Sequence, residues 1–153
     1  MVSQAARPLT NSGTMISSLS LSLLLGLLSI TVSPLQSYKW KNRILIVYAK
    51  NKNLLSKQLT VFVGEKTEFK ERDLVIFKLN KYNGINPSGQ KLTDKDYQWL
   101  VRRYFSTSDK FGIVLIGKDG GVKLKSKEQI GNKRLFDLID SMPMRMQEMK
   151  EGQ

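Results

Sequence analysis

Cysteine and histidine are both absent from this chain of 153 residues. Without cysteine there is no disulfide, no thiolate nucleophile and no sulfur ligand for a metal ion. Without histidine the chain lacks the commonest general base near neutral pH and the commonest transition-metal ligand. Hydrolase triads and zinc sites of the usual kinds are therefore excluded, and only Asp, Glu, Lys and Tyr remain for acid–base work.

Acidic residues are few compared with basic ones, 13 against 25, which gives a formal net charge of +12. Arg7 is the only charged residue among the first 37, so the rest of the chain carries +11. A surface of this sign attracts anionic molecules over a distance that is limited by salt. The excess of positive charge therefore lies in the predicted folded part of this basic protein.

Residues 1–37 have the pattern of an export signal. Residues 16–32 are uncharged and mostly apolar, and translation begins at Met1 or at Met15. A helix that crosses a bilayer needs roughly 20 predominantly apolar residues, and this shorter run contains several serines, which favours a removed signal. Cleavage near Ser33 or Ser37 predicts a secreted or periplasmic domain of residues 38–150. An uncleaved segment would instead tether the protein to a membrane.

The first half of the predicted domain has the pattern of a β-α-β unit. Residues 44–49 are a continuous apolar run, typical of a strand buried on both faces, and residues 74–79 are predicted to be a second buried strand. Between them, residues 53–69 have the spacing of an amphipathic helix, and a helical crossover makes the two strands parallel. Its predicted inward side chains are Leu55, Leu59, Phe62 and Phe69. Residues 80–92 contain several turn-forming pairs and are predicted to be a surface loop.

The second half predicts a helix, a hairpin and a last helix. Thr93 and Asp96 have the spacing of a helix N-cap, and residues 113–116 form the third strand. Asp119-Gly120 predicts a hairpin whose return strand covers residues 122–125, and Asn132 is predicted to cap the last helix, which Pro143 interrupts. The order β-α-β-α-β-β-α predicts an α/β, thioredoxin-like fold with a single mixed sheet and helices on both faces.

The position at which thioredoxin-like enzymes carry out thiol redox chemistry has no cysteine in this chain. Thioredoxin-like enzymes act from the loop before the first helix, here residues 48–53, which contain no thiol. The spacing from Gly112 to Lys118 is similar to a phosphate-binding loop, but the residues between them form a strand and Asp119 replaces the required Ser or Thr. We expect no cofactor, no metal ion and no catalytic residue.

Four hairpin lysines form the candidate anion-binding site: Lys118, Lys123, Lys125 and Lys127. Positions 123, 125 and 127 share one face of a strand, so their charges add. The alternative is a solvated sheet edge on which lysine opposes aggregation.

A second set of candidates has either a catalytic or a structural role: Arg72, Asp73, Asp119, Gly120, Asp140, Pro143 and Arg145. The alternative function is an enzyme whose carboxylates and cations converge at one end of the sheet. The structural alternative is a salt bridge from Arg145 to Asp73 or Asp140 that fixes the C-terminal tail. A third reading is a structural subunit that docks through the methionine-rich tail, although methionine also fills gaps in cores.

Four segments carry a family resemblance: WKNR (residues 40–43), ERDLV (71–75), LIGKDGGVK (115–123) and IDSMPMRMQEM (139–149). They resemble the bacterial domain of unknown function 4174, which is similar to a thioredoxin-like module of vertebrate secreted matrix proteins of the equarin and sushi-repeat type. The resemblance implies export, a thioredoxin-like fold and binding to a polyanion or matrix, and it carries no active site.

We therefore expect an exported, non-redox binding module for an anionic envelope polymer or an acidic partner protein. Nucleic acid is not an expected partner of an exported protein. Membrane contact is expected only if the N-terminal segment remains uncleaved.

Overall fold

The computed structural model describes Met1 and residues 32–152. Most of the predicted export segment, residues 2–31, lies outside the described residues, so that prediction stays a prediction. The strands are β1 Arg43–Ala49, β2 Leu74–Asn80, β3 Gly84–Ile85, β4 Phe111–Ile116 and β5 Val122–Ser126. The helices are α1 Lys52–Val61, α2 Lys66–Glu71, α3 Asp94–Tyr104, α4 Asn132–Asp140 and α5 Pro143–Glu151, and a 3-10 turn, Gln36–Tyr38, precedes β1.

The five strands form one mixed sheet in the order β3-β2-β1-β4-β5. Strands β1 and β2 are parallel, as the helical crossover requires, while β4 is antiparallel to β1 and β5 is antiparallel to β4. This combination of order and direction is that of a thioredoxin-like sheet, with β3 added at one edge. The predicted fold class is confirmed.

Both faces of the sheet are covered, which explains why β1 is buried along its whole length. Alternate residues of β1 belong to different cores: Ile44, Ile46 and Tyr48 pack with α3, whereas Leu45 and Val47 pack with α1, α2 and α4. Leu35 is also buried in the α3 core. The packed part of the described chain therefore begins before residue 38, and the cleavage sites near Ser33 and Ser37 stay predictions.

The prediction of one continuous helix over residues 53–69 is wrong. The segment consists of α1 and α2, separated by a turn in which Gly64 has a φ of +91°, a left-handed conformation that glycine adopts without strain. Phe62 and Phe69 still face the core, and their rings meet edge to face at 5.5 Å. The apolar spacing therefore predicted the buried face correctly, although the glycine ends the helix.

A buried glutamine joins α1 to the segment before α4. Gln58 is fully buried; its amide nitrogen donates to the Ile130 carbonyl at 2.8 Å, and its amide oxygen accepts from the Ile130 N–H at 2.9 Å. Both polar groups of this side chain are satisfied by one residue, so Gln58 acts as a clamp between two elements that are distant in sequence.

The segment predicted as a surface loop, residues 80–92, is folded back on itself by side-chain hydrogen bonds. Asn80 Oδ1 accepts from the N–H groups of Tyr82 at 2.8 Å and Asn83 at 3.0 Å, which makes a tight turn after β2. Strand β3 follows and pairs with β2, and Ile85 forms a bridge with Lys91. The turn-forming residues thus build a short edge strand, which the breaker pattern alone did not predict.

The helix starts are partly as predicted. Thr93 caps α3, since its hydroxyl accepts from the Asp96 N–H at 3.1 Å. Asn132 is not the cap of α4: Gly131 occupies that position, and the Asn132 amide instead donates to the Val61 carbonyl at 2.8 Å. Pro143 is the first residue of α5, where its missing N–H costs nothing.

Candidate functional site

Charged residues from all four motif segments meet at one end of the sheet, where β1 and β2 begin and β4 ends. We call this group the charged network; it consists of four cations and four carboxylates. The cations are Arg43, Arg72, Lys118 and Arg145, and the carboxylates are Glu68, Asp73, Asp140 and Glu148. Of the five charged residues predicted to converge, Arg72, Asp73, Asp140 and Arg145 belong to the network. Asp119 does not, because it binds Lys123 and the Gly121 N–H within its own turn.

Arg43 is the centre of the network, and its side chain is only 1% exposed. Its two terminal nitrogens each donate to Glu148 at 3.1 Å, which gives a bidentate pair, and one of them also donates to the Arg72 carbonyl at 2.9 Å. Glu148 also binds Lys118 Nζ at 2.8 Å, and Lys118 in turn binds Asp73 at 2.7 Å. The sequence analysis included Arg43 and Glu148 in two motif segments but named neither as a candidate site residue. A charged residue at the start of an otherwise apolar strand was a usable signal for Arg43.

The other half of the network holds α5 against the rest of the protein. Arg145 Nε donates to Asp140 at 3.2 Å, and its Nη1 donates to the Glu71 carbonyl at 2.8 Å. Arg72 binds the second oxygen of Asp140 and also Glu68, and its guanidinium lies 4.6 Å from the centre of the Phe136 ring. Of the two partners expected for Arg145, the structure thus shows Asp140 and not Asp73.

The pKa values of Glu148 and Lys118 are shifted towards the charged forms. Burial raises the pKa of Glu148, but hydrogen bonds from Arg43 and Lys118 outweigh it, so the pKa lies below its usual value. Burial lowers the pKa of Lys118, but hydrogen bonds to Asp73 and Glu148 outweigh it and raise the pKa. Because charges of both signs are equal in number and mutually bound, the network is suited to fixing the fold and not to transferring a proton.

The turn between β4 and β5 is a compact hairpin turn centred on Asp119 and Gly120. Gly120 has a φ of +83° and donates its N–H to the Gly117 carbonyl at 2.9 Å. Asp119 Oδ1 accepts from the Gly121 N–H at 3.0 Å, and Oδ2 binds Lys123 at 2.7 Å. Lys123 and then the Gly121 N–H hold the pKa of Asp119 below its usual value. Asp119 therefore bonds within its own turn.

The four candidate hairpin lysines do not form one continuous face. Lys118 belongs to the charged network, Lys123 binds Asp119, and Lys127 binds the buried carboxylate of Asp109 at 3.0 Å. A register irregularity between β4 and β5 leaves Lys123 without an opposite residue, which interrupts the expected alternation. Among the described residues, Lys125 alone of the four has no carboxylate partner.

The methionine-rich tail serves two purposes. Met142 packs against the core beneath α4, whereas Met144 and Met146 are 40% and 43% exposed on α5. Met142, Pro143 and Met144 also line a cavity of about 250 Å³, together with Arg43 and Lys118 of the charged network. Gap-filling therefore describes Met142, and the exposed pair remains available for contact with another molecule.

At the opposite end of β1, the chain enters α1 without any reactive group. Asn51 caps α1 by accepting the Asn53 N–H at 2.8 Å, and Lys50 Nζ donates to the Thr107 carbonyl at 2.6 Å. In the described part of the chain no cluster of three carboxylates is placed to hold a metal ion. Within the same residues, none of the helices has the length and apolar content needed to cross a bilayer.

A family model described as "Domain of unknown function (DUF4174)" matches residues 34–148. The chain belongs to this family. The matched range runs from just before the 3-10 turn to Glu148, and so contains every member of the charged network. Both Arg43 and its partner Glu148 therefore lie within the family domain, although they are far apart in the sequence.

Among solved structures, the chain is similar to the mitochondrial 2-Cys peroxiredoxin from Plasmodium falciparum. The two share 14% sequence identity and superpose with a TM-score of 0.45 over 69% of this chain and 77% of the other. A likeness of this size supports no statement about activity, and the fold assignment depends on the strand order and directions described above.

Proposed function

We propose that this protein is an exported, non-redox binding module whose basic surface binds an anionic envelope polymer or an acidic partner protein. One observation carries the proposal: among the residues that the structure describes, the ion pairs match seven cations with seven carboxylates. Because these pairs cancel, the whole excess of +11 after residue 37 belongs to cations outside them. Such an excess of positive charge attracts anions at long range, and this attraction weakens as salt is added.

Two further features support the proposal. The apolar segment before the domain has the pattern of an export signal, and the resemblance carried by the four motif segments implies a relation to secreted matrix proteins. The loop before α1 contains no thiol, so a redox reaction of the kind that thioredoxin-like enzymes perform has no nucleophile there.

Salt-dependent retention on immobilised heparin or polyphosphate tests the proposal. We expect the protein to elute above about 0.15 M NaCl, near physiological ionic strength. The hairpin variant carries Lys123→Glu, Lys125→Glu and Lys127→Glu. Its matched control carries Lys57→Glu, Lys66→Glu and Lys70→Glu, which make the same change in charge on α1 and α2.

Each outcome has a distinct meaning. Wild-type elution below physiological salt contradicts the anion-binding function. Equal losses in the two triple variants remove the hairpin as a preferred site, because the attraction would then depend on total charge alone. A larger loss in the hairpin variant supports the predicted site.

The alternative of an enzyme based on carboxylates and cations has no supporting observation. Asp119 bonds its own turn, Asp73 is bound to Lys118, and Asp140 is shared by Arg72 and Arg145. These contacts leave no carboxylate of the candidate set poised to act as a base.

Docking through the tail is a second candidate, favoured by the exposure of Met144 and Met146 on one helix. The clean test is the double substitution Met144→Ser and Met146→Ser, followed by measurement of the molar mass by light scattering. Deletion of the tail is less informative, because it also removes Glu148 from Arg43. A wild-type monomer, or an oligomer of unchanged mass in the double variant, contradicts this candidate.

A further inference from the structure

A groove lies at the end of the sheet opposite the charged network, where β1 and β2 end and α1 begins. The two parallel strands finish side by side, with Ala49 opposite Asn80. The cavity at this point has a volume of about 380 Å³, within the range of roughly 300–1,000 Å³ that is usual for ligand pockets. Four lysines line it, Lys50, Lys52, Lys78 and Lys81, together with the larger side chains of Leu55, Leu59, Tyr82 and Ile85.

The charge of this lysine groove is not balanced. No carboxylate is among its lining residues, and within residues 32–152 none of its four lysines forms a salt bridge. The charged network at the other end of the sheet has equal numbers of both signs. The groove therefore places several positive charges around a concave surface, and a cleft lined by charges of one sign focuses their field.

The groove also has an apolar component that a purely anionic ligand would leave uncovered. Tyr82 is 78% exposed and Ile85 is 39% exposed, and both lie beside the half-buried Leu55 and Leu59. Lys81 Nζ lies 5.3 Å from the centre of the Tyr82 ring, so the cation and the aromatic surface are adjacent. Covering such side chains with an apolar group of a ligand is favourable.

We propose that the lysine groove binds an acidic peptide segment of a partner protein, with an apolar side chain placed between carboxylates. The apolar group would contact Tyr82, Ile85 and the leucines, while the carboxylates would contact the lysines. This proposal rests on the proposed function and narrows its partner from any anion to an acidic polypeptide.

The apolar lining favours a peptide over a phosphate or sulfate polymer. A repeating polymer of charged groups would contact the lysines and would leave Leu55, Leu59, Tyr82 and Ile85 uncovered. A peptide can offer carboxylates to the lysines and an apolar side chain to this surface.

The peptide would bind through its side chains and not as an added strand. The outer side of β3 is already occupied, because Ile85 pairs with Lys91 and the Gly84 carbonyl accepts the Leu92 N–H at 2.8 Å. Sheet extension at this edge is therefore blocked.

The test uses fluorescence anisotropy of the full-length protein with two labelled peptides of equal charge, Glu-Glu-Phe-Glu-Glu and Glu-Glu-Ser-Glu-Glu. In about 0.15 M NaCl we expect the Phe peptide to bind at least about tenfold more tightly than the Ser peptide, because its ring covers apolar surface. Substitution Ile85→Ser should reduce this preference, while leaving binding of the Ser peptide unchanged.

Charge reversal provides the second arm. The groove variant, Lys78→Glu with Lys81→Glu, should weaken binding of both peptides at least about tenfold by removing opposite charges at close range. The control variant, Lys95→Glu with Lys150→Glu, has the same net charge but changes exposed lysines outside the groove. Urea unfolding of each variant shows whether it is folded, and the Ile85→Ser arm does not depend on charge.

Three results would overturn the peptide proposal: equal affinity for the two peptides, equal loss in the groove and control variants, or competition by polyphosphate as strong as by the unlabelled Phe peptide. If heparin retention persists in any of these cases, the anion-binding function stands and only the groove assignment fails. If wild-type retention is also lost at physiological salt, the general function fails too.

Discussion

Replacement of Glu148 by glutamine is the most direct test of the charged network. The substitution keeps the size of the side chain and removes its charge, so Arg43 loses an ionic partner while remaining 1% exposed. Two hydrogen bonds of 3.1 Å from Arg43 and one contact of 2.8 Å from Lys118 depend on this carboxylate. The control is Glu151→Gln, which removes the same charge from an exposed position of the same helix.

The expected loss follows from the burial of the two partners. Removing one member of a fully buried ion pair costs about 3–5 kcal/mol, whereas an exposed pair contributes only about 0.2–1 kcal/mol. Glu148 is 25% exposed, Arg43 keeps its bond to the Arg72 carbonyl, and glutamine still offers one acceptor. We therefore expect Glu148→Gln to lower the free energy of unfolding by about 2 kcal/mol, and Glu151→Gln by less than about 0.5 kcal/mol.

The pH dependence of this loss provides an independent check. Because the folded-state pKa of Glu148 is lowered, its contribution is present above the pKa of an unfolded glutamate, about 4.3, and is lost as the pH falls through the folded-state pKa. The difference between wild type and Glu148→Gln should thus be constant from about pH 5 to pH 8 and should shrink in more acidic solution.

Urea unfolding followed by tryptophan fluorescence at several pH values measures both effects, with the linear dependence on urea giving the free energy. A loss no larger than that of the control would refute the structural role of the network. A difference that stays the same well below pH 4.3 would show that the charge of Glu148 is not its cause.

Three further substitutions test other contacts. Arg145→Ala should lower the free energy of unfolding by about 1–2 kcal/mol, since Asp140 loses a charged donor; an unchanged melting temperature means that Arg145 does not hold the tail. Gly120→Ala should cost about 1–2 kcal/mol, because its φ of +83° disfavours a Cβ; denaturant unfolding at wild-type stability contradicts this. Gln58→Leu should cost about 2–4 kcal/mol and accelerate exchange of the Ile130 amide, whose partner is lost; unchanged exchange refutes the clamp.

Local patterns predicted most of the architecture. The apolar runs at β1 and β4 are buried on both faces, and β2 is buried less completely because Lys78 is exposed. The Thr93 cap depends only on residues within the first turn of α3. Turn chemistry was less predictable: Gly64 ends α1 where the apolar spacing continues, and Asn132 bonds to Val61 instead of capping its own helix. In these cases a long-range contact or a single backbone angle outweighed the local preference.

The candidate sites were less predictable from the sequence than the fold. Proximity of Arg72 and Asp73 to the start of β1 followed from the expected topology, because neighbouring parallel strands begin at the same edge of the sheet. Asp140 and Arg145 are brought to this edge by α4 and α5. The pairing of Arg43 with Glu148 has no local signature, since the two residues are 105 positions apart. The lysine groove likewise depends on which side chains β3 brings near α1, and the sequence pattern did not predict β3.

The pairing of Arg43 with Glu148 has a consequence for biosynthesis. The ribosome makes β1 before α5. Arg43, at the start of β1, therefore has no Glu148 to pair with until a residue 105 positions later has been synthesised. A nascent chain halted before α5 should therefore remain more accessible to proteases and chaperones than a chain that includes α5. Synthesis of α5, and not the appearance of the central strands, would set the moment at which this end of the domain becomes stable.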